Sequence, residues 1–313
     1  MIFFWIVITI IVAIFSASIG KIDLDLIKIF DTSTMEYQIF TQIRLPRVIL
    51  AFTSGGILAL SGLLFQTLFR NPLTTPFTLG VSSGATLGAA IAIIFGFSFV
   101  SFFGFIGAIS TIFVIYFFSK KLNSNSDQRL ILVGIALSFL YSSMLLIIYY
   151  LSDFQESYLI LRFTMGSLLT VGFGETVPII LSATIVIFVS QKYKNELKLL
   201  SISSDFAFLE GVNVDRVLII LFVSISLAIG IVVSIVGPIS FIGLITPHII
   251  RTILKKSIDQ IIIPTFIAGG LFLLICDTIA RNLPTISEIP VGIITSFIGG
   301  IVFVYILISS KKY

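Results

Sequence analysis

The sequence predicts an all-α integral membrane protein with about ten transmembrane helices. Of its 313 residues, 57% are hydrophobic and only 11% are charged, whereas soluble domains carry about 25% charged residues. The mean hydropathy is +1.16. The apolar residues come in long runs, and a helix needs about 20 of them to span a bilayer core of about 30 Å. Because such runs continue along the whole chain, we predict a single transmembrane domain over residues 1–313.

The first apolar run, residues 1–19, carries no charge and is predicted to be a retained transmembrane helix. The small residues Ser16, Ala17 and Ser18 would suit a signal peptide, but a basic segment before the run is missing and many further spans follow. Residues 20–43 are polar and mixed in charge, which predicts a solvated loop that could include a surface helix.

Nine further runs are predicted to cross the membrane. They cover residues 48–69, 79–97, 100–118, 130–151, 175–190, 217–236, 239–254, 261–280 and 289–309. Residues 152–170 are partly polar and are interrupted by Gly166, which favours a short interfacial helix over another crossing. Ten crossings place both termini on the same side.

The lysines and arginines are divided unevenly between the two sides of these spans. Of the 19 cationic residues, 13 fall on the side that holds the termini and six on the other. Cationic loops stay in the cytoplasm, so both termini are predicted to be cytoplasmic. Arg44, Arg47 and Arg281 then face outward as minority cations. From the residues alone, they could either snorkel at the interface or bind a partner.

Composition and motifs exclude most catalytic chemistry. There is no phosphate-binding G-x-x-x-x-G-K-[ST] motif, no H-E-x-x-H motif and no nucleophile with a plausible base. A single cysteine, Cys276, and a single histidine, His248, are too few for a Cys/His metal site. We therefore expect no catalytic residue, no bound metal and no cofactor. The net charge of +4 is dispersed, which does not suggest nucleic-acid binding.

Asp277 is the only acidic residue that lies well inside an apolar run. A proton-coupled carrier usually places Asp or Glu in mid-membrane, whereas Asp277 lies near the end of its span. This counts against proton coupling but leaves sodium coupling open, since sodium can be bound by backbone carbonyls.

Two further stretches have a recognisable physical pattern. Gly80, Gly84 and Gly88 are spaced by four, so they are predicted to share one helix face on which another helix packs closely. In residues 201–215, Ser203 to Asp205 can cap a helix N-terminus and Gly211 can end the helix. Such a short helix suits docking to a soluble partner, and the alternative is a connector on the membrane surface.

Eight short motifs then occur in an order typical of one family. They are R44-L-P-R47, L60-S-G62, R70-N-P-L73, L79-G-V-S-S-G-A85, A207-F-L-E-G-V-N213, G237-P-I-S-F-I-G-L-I-T-P-H248, D277-T-I-A-R281 and E288-I-P-V-G-I-I-T295. With them, the chain resembles the FecCD-type permease subunits of ABC importers for iron-siderophores, haem and vitamin B12. The resemblance implies a vitamin B12 permease-like fold of ten helices. It also implies a second permease subunit (an identical copy or a paralogue), cytoplasmic ATP-binding subunits and an extracytoplasmic substrate-binding protein.

The resemblance also implies roles for particular residues. Arg44, Arg47 and Arg281 match family arginines that pair with glutamates of the binding protein. The segment around residues 205–214 matches the helices that couple the permease to its ATPase, although the family usually has leucine where this chain has Glu210. The matching coupling residues are Asp205, Ala207, Leu209, Glu210 and Gly211. An inner gate is expected at Ser126, Asp127 and Gln128.

The function implied by the resemblance is import of a ferric siderophore through a multi-pass protein of the cytoplasmic membrane, among membrane lipid. ATP hydrolysis is expected in the partner subunit, with no covalent chemistry in this chain. The predicted spans 130–151 and 289–309 are expected to line the path. Haem, cobalamin and oxyanions stay open as substrates. An ion-coupled secondary carrier, and a membrane scaffold or intramembrane enzyme, are the rival functions.

Overall fold

The computed structural model describes residues 2–20, 25, 28–121, 127–284 and 288–309, and within these ranges it contains helices and no strand. The α-helices are α1 (Ile2–Ser18), α2 (Met35–Ile39), α3 (Leu45–Leu68), α4 (Val81–Ile94), α5 (Val100–Lys121), α6 (Asp127–Leu151), α7 (Phe154–Thr164), α8 (Thr176–Lys192), α9 (Lys194–Ile202), α10 (Ser204–Leu209), α11 (Val214–Val236), α12 (Ile242–Leu254), α13 (Ile258–Asn282) and α14 (Val291–Ser309).

Four of the described helical segments are long and apolar enough to cross a membrane by themselves. They are Met35–Leu68, Ile131–Leu151, Val214–Val236 and Ile258–Asn282. A fifth crossing of sufficient length arises if α8 and α9, which meet at a bend of 66°, are taken together. Five shorter apolar helices lie at Trp5–Ser18, Val81–Ile94, Val100–Ile115, Ile242–Leu254 and Val291–Ile306. The all-helical fold class is confirmed, and these segments agree approximately with the ten predicted spans.

The segment before α3 differs from the prediction. Residues 20–43 were predicted to be a solvated loop that could include a surface helix. Helix does begin at Met35, where the Thr34 side chain caps it by accepting a hydrogen bond from the Tyr37 N–H at 3.3 Å, but it runs directly into the helix that follows. A π-helical turn, Phe40–Arg44, then joins α2 to α3. Pro46 lacks an N–H group and its ring crowds the carbonyl four residues earlier. The wider π turn gives the ring room, so the helix passes the proline without ending.

Pro46 leaves one carbonyl of this turn available. The Gln42 carbonyl, four residues earlier, accepts a hydrogen bond from the Gly172 N–H at 2.7 Å. Gly172 lies in the connection between α7 and α8 and has a φ of 70°, which suits glycine. The connection is therefore attached to the α2–α3 helix at the point where the proline interrupts its hydrogen bonds.

Helix α3 is the centre of the bundle. It packs against α13, α12, α8 and α11, and every residue from Ser54 to Leu68 is buried. The closest approaches are made through glycine: a Cβ at Gly55 would overlap the Gly269 carbonyl of α13, and one at Gly62 would overlap the Gly243 carbonyl of α12. Without side chains at these points, the backbones meet directly and gain dispersion contacts along their length.

Large apolar side chains stay exposed on α6 and α14. Examples are Phe139 and Leu146 on α6, and Phe297 and Tyr305 on α14. An apolar surface of this size is stable only against lipid or another protein.

The bundle has two ends that matter for function. We call the end that holds Arg44, Arg47 and Arg281 the arginine end. The other end, reached by the C-terminus of α3 and holding α9 and α10, is called the α10 end.

Candidate functional site

At the arginine end, Arg47 of α3 makes a forked ion pair with Asp277 of α13. Its Nε lies 3.1 Å from both carboxylate oxygens, and its Nη2 lies 2.9 Å from Oδ1. The remaining Nη1 donates to Glu288 Oε2 at 2.8 Å. Asp277 is fully buried and Arg47 is 6% exposed. Two carboxylates therefore hold one guanidinium in the paired geometry that arginine forms best.

Arg281 completes this cluster from the last turn of α13. Its Nη2 donates to both the carbonyl and the hydroxyl of Ser16, each at 2.6 Å, and its Nε lies 3.5 Å from Asp277 Oδ2. Ser16 Oγ also lies 2.8 Å from Thr278 Oγ1. These contacts attach the C-terminal turn of α1 to α13.

Arg44 contacts the same turn of α1 from the other side. Its Nη1 donates to the carbonyls of Ala17, at 2.9 Å, and Ser18, at 2.7 Å. The last carbonyls of a helix have no intrahelical partner and carry the negative end of its dipole, so a cation is favourable there. Arg44 and Arg281 thus fasten α1, whose outer face is otherwise apolar and exposed.

The structure therefore brings the three predicted arginines together, although with their side chains turned into the protein. Within the described residues, the arginine cluster includes two carboxylates, Asp277 and Glu288. Glu288 is the accessible carboxylate of the cluster, with one third of its side chain exposed. Chemically, a carboxylate of another protein can take the place of an accessible carboxylate such as Glu288 as the partner of a guanidinium in this cluster.

The carboxylate partners were not predicted from the sequence as a network. One signal was present: Asp277 and Arg281 are four residues apart on one helix, the spacing at which side chains meet. The hydrogen bond between Arg47 and Glu288 joins residues 241 positions apart. It depends on how the last helices pack on α3.

At the α10 end, the short helix expected near residue 205 is present. The Ser203 side chain caps α10 by accepting from the Phe206 N–H at 3.0 Å, and Gly211, with a φ of 83°, follows its end. Ala207 is buried, whereas Leu209 is 81% exposed. Asp205, Glu210 and Gly211 are also exposed. The surface of α10 therefore combines a carboxylate pair with exposed apolar side chains.

Two other groups of predicted residues lie elsewhere. Asp127 and Gln128 form the first turn of α6, while Ser126 lies outside the described residues. Gly84 and Gly88 bring α4 against α5, because a Cβ at either would overlap the backbone of Gly107 or Phe103. Gly80 does not share that helix face: it precedes α4 with a φ of 76° and approaches Gly134 of α6. A left-handed residue was not expected at the start of the glycine pattern.

Among the described residues, no three His, Cys, Asp or Glu side chains are grouped so as to hold a metal ion. Cys276 is buried within α13. The charged cluster at the arginine end and the exposed α10 are thus candidate surfaces for binding other proteins, as are the exposed apolar faces of α6 and α14.

Comparisons with known proteins show which family and fold this chain shares. The sequence model of the FecCD transport family matches residues 8–309. The hemin transport system permease protein HmuU of Yersinia pestis is 31% identical over 99% of this chain and 95% of its own length. The molybdate import system permease protein MolB of Haemophilus influenzae is 32% identical over 97% of this chain and 94% of its own. A solved inward-facing structure of a putative metal-chelate type ABC transporter covers 98% of both chains with a TM-score of 0.90 and 29% identity.

Proposed function

We propose that this chain, which belongs to the FecCD transport family and is a permease of ABC importer type, carries ferric siderophores across the cytoplasmic membrane. The observation that carries the proposal is the fold match to a metal-chelate type ABC transporter over nearly the whole chain. In this proposal residues 1–313 form one permease domain, and ATP is hydrolysed in a separate subunit. The chain itself makes and breaks no covalent bond.

The proposed orientation places the α10 end and both termini in the cytoplasm. The support is the excess of lysine and arginine on that side of the predicted spans. The arginine end then faces outward, where a substrate-binding protein delivers its cargo.

Docking of that binding protein is proposed at Arg44, Arg47 and Arg281. These arginines are already held by ion pairs and hydrogen bonds to Asp277, Glu288 and the end of α1. Glutamates of the binding protein would join the edge of a cluster of pre-oriented guanidiniums rather than meet three freely extended side chains. Holding guanidiniums in place beforehand lowers the entropy lost on binding.

The ATP-binding subunits are proposed to contact α10. The exposed Leu209, with Asp205, Glu210 and Gly211 around it, offers an apolar anchor with a charged rim, as transient interfaces require. Because α10 packs on α9, and α9 packs on α3 and α13, a displacement of α10 would reach the centre of the bundle. Residues 126–128, of which Asp127 and Gln128 begin α6, are proposed as an inner gate.

A second permease subunit, identical or paralogous, is proposed to pair with this one. The exposed apolar faces of α6 and α14 support this, because a path between two subunits needs helices that each subunit leaves uncovered. The substrate would pass between the two copies, and lipid would cover the remaining apolar surface.

The substrate is tested by measuring uptake of radioactive iron, supplied as a ferric siderophore, into cells with and without this gene. Unlabelled haem, cobalamin and molybdate serve as competitors. We expect uptake to be lost in the deletion strain and, in the parent, to be unaffected by the competitors. Normal iron uptake in the deletion strain would contradict the siderophore proposal and favour haem, an oxyanion or cobalamin, since relatives are named for hemin, molybdate and cobalamin. Uptake that stops with an ionophore while ATP is maintained would favour an ion-coupled carrier.

A further inference from the structure

A cavity of about 390 Å³ opens at the α10 end, at the junction of α3, α9, α12 and α13. Its volume is in the range of small-molecule sites, about 300–1,000 Å³. The residues that line it are Gln66, Thr67, Arg70, Asn71, Pro72, Ser201, Arg251, Lys256, Ser257, Ile258 and Ile261. Three of these are cationic, none is acidic, and most of the others carry a hydroxyl or an amide.

Arg251 is the best-defined cation of this cavity. Its Nη2 donates to the Thr67 hydroxyl at 3.2 Å, and Thr67 in turn donates to the Leu63 carbonyl at 2.8 Å. Within the described residues, no carboxylate lies within ion-pair distance of Arg251. The hydrogen bond to Thr67 holds the guanidinium against α3 with most of its five N–H donors left for another acceptor.

The first turn of α13 lines the same cavity through Ser257, Ile258 and Ile261. Ser257 precedes this helix of 25 residues, and its side chain makes no capping hydrogen bond. The first N–H groups of a helix have no intrahelical partner and favour an anion. Asp259, in the same turn, is the nearby acidic residue that would oppose an anion, but it does not line the cavity.

From this arrangement we propose that the cavity binds a phosphoryl group, with Arg251 and Lys256 as its charged donors. Arginine forks, an ammonium group, hydroxyls and helix N–H groups together match the several oxygens of a phosphate better than the two of a carboxylate. The group is supplied either by the headgroup of an anionic phospholipid or by a soluble phosphate compound. Basic pockets between transmembrane helices at the cytoplasmic side are suited to lipid headgroups.

The test uses the full chain purified in a neutral detergent, with binding measured by calorimetry. The probes are short-chain phosphatidylglycerol, short-chain phosphatidylcholine and inorganic phosphate. Arg251→Gln with Lys256→Gln removes two charges from the cavity. Lys194→Gln with Arg216→Gln removes two exposed charges at the same end and serves as the control. If replacement of Arg251 prevents folding, the single variant Lys256→Gln still tests the cavity.

We expect the unchanged protein to bind phosphatidylglycerol more tightly than phosphatidylcholine. The cavity double variant should weaken this binding about 30-fold and Lys256→Gln about fivefold, with no change in the control. Binding of inorganic phosphate that is lost in the same variants would support the site and identify a soluble ligand. Equal binding by cavity and control variants would overturn the proposal. So would equal binding of phosphatidylglycerol and phosphatidylcholine together with no binding of inorganic phosphate.

This site is independent of the transported substrate. Only its assignment to the inner leaflet rests on the proposed orientation. Because binding is measured on isolated protein, a failure of this test and a failure of the iron-uptake test are distinguishable.

Discussion

Arg47 and Asp277 lie 230 residues apart in the chain and form a forked ion pair inside the protein, with nitrogen–oxygen distances of 2.9–3.1 Å. The pair joins the start of α3 to the end of α13, the two helices at the centre of the bundle. It also holds one of the guanidiniums proposed to meet the binding protein. If docking occurs as proposed, the stability of the bundle and the docking of the binding protein depend on the same pair.

Replacement of Asp277 by asparagine should destabilise the protein strongly. The change keeps the shape of the side chain but leaves Arg47 buried without its principal counter-charge, and breaking a buried pair in this way costs about 3–5 kcal/mol. The loss of stability is measured by thermal unfolding of the detergent-solubilised protein. Glu175→Gln, at an exposed position without a capping bond, is the matched control and should change little. Equal stability of the two variants would show that the pair contributes nothing.

A double variant separates docking from stability. Arg47→Gln alone should lower the unfolding temperature, whereas Arg47→Gln with Asp277→Asn removes both charges and should recover part of the loss. If Arg47 contacts the binding protein, affinity for that protein should stay low in both variants. Surface plasmon resonance with the purified partner checks this. Recovery of affinity together with stability would contradict a docking role for Arg47.

Truncation of Leu209 should weaken the association with the ATP-binding subunit without unfolding the permease. Because the side chain is largely exposed, stability should change by no more than about 0.5 kcal/mol, whereas an anchor residue typically contributes more than about 1 kcal/mol to binding, or about fivefold in affinity. Co-purification and transport-coupled ATPase activity are the measurements. Ile253→Ala, another exposed apolar truncation, is the control, and an equal effect of both would argue against a specific contact.

The crossing of α3 and α12 should not tolerate a methyl group at Gly62. A Cβ there would overlap the Gly243 backbone, which cannot move as a flexible side chain can. We expect Gly62→Ala to cost about 1–3 kcal/mol or more, seen as a lower unfolding temperature. Gly174→Ala, where a Cβ would meet no atom within 4 Å, should be nearly neutral. A neutral Gly62 variant would mean that the two helices have room to separate.

Hydropathy predicted the helical architecture well because a bilayer permits little else for a long apolar run. The places where the prediction failed are those governed by backbone detail. The polar residues 35–43 resemble a loop in composition, yet a π turn lets their helix continue through Pro46. Gly80 fitted a spacing of four, but its positive φ places it before the helix rather than on its face.

For the site, the count of lysines and arginines in the loops identified Arg44, Arg47 and Arg281 as cations on the side with fewer positive charges. The predicted order of spans placed all three at the same end of the bundle. It could not supply their partners. Asp277 was noticed as the acid inside an apolar run, but its pairing with Arg47 depends on the packing of α3 on α13. The bonds from Arg44 to the end of α1 are to backbone carbonyls, which every residue possesses, so no sequence pattern marks them.

Pro46 has a consequence for motion at the arginine end. By withholding an N–H group, it leaves the Gln42 carbonyl to the amide of Gly172, so the connection from α7 to α8 is fastened by a bond that an ordinary helix would have used internally. Pro46→Ala would supply a competing N–H group and release this connection. The Gly172 amide should then exchange with deuterium faster, while the amides of α3 keep their protection. The connection between α7 and α8 would thus open without any opening of α3.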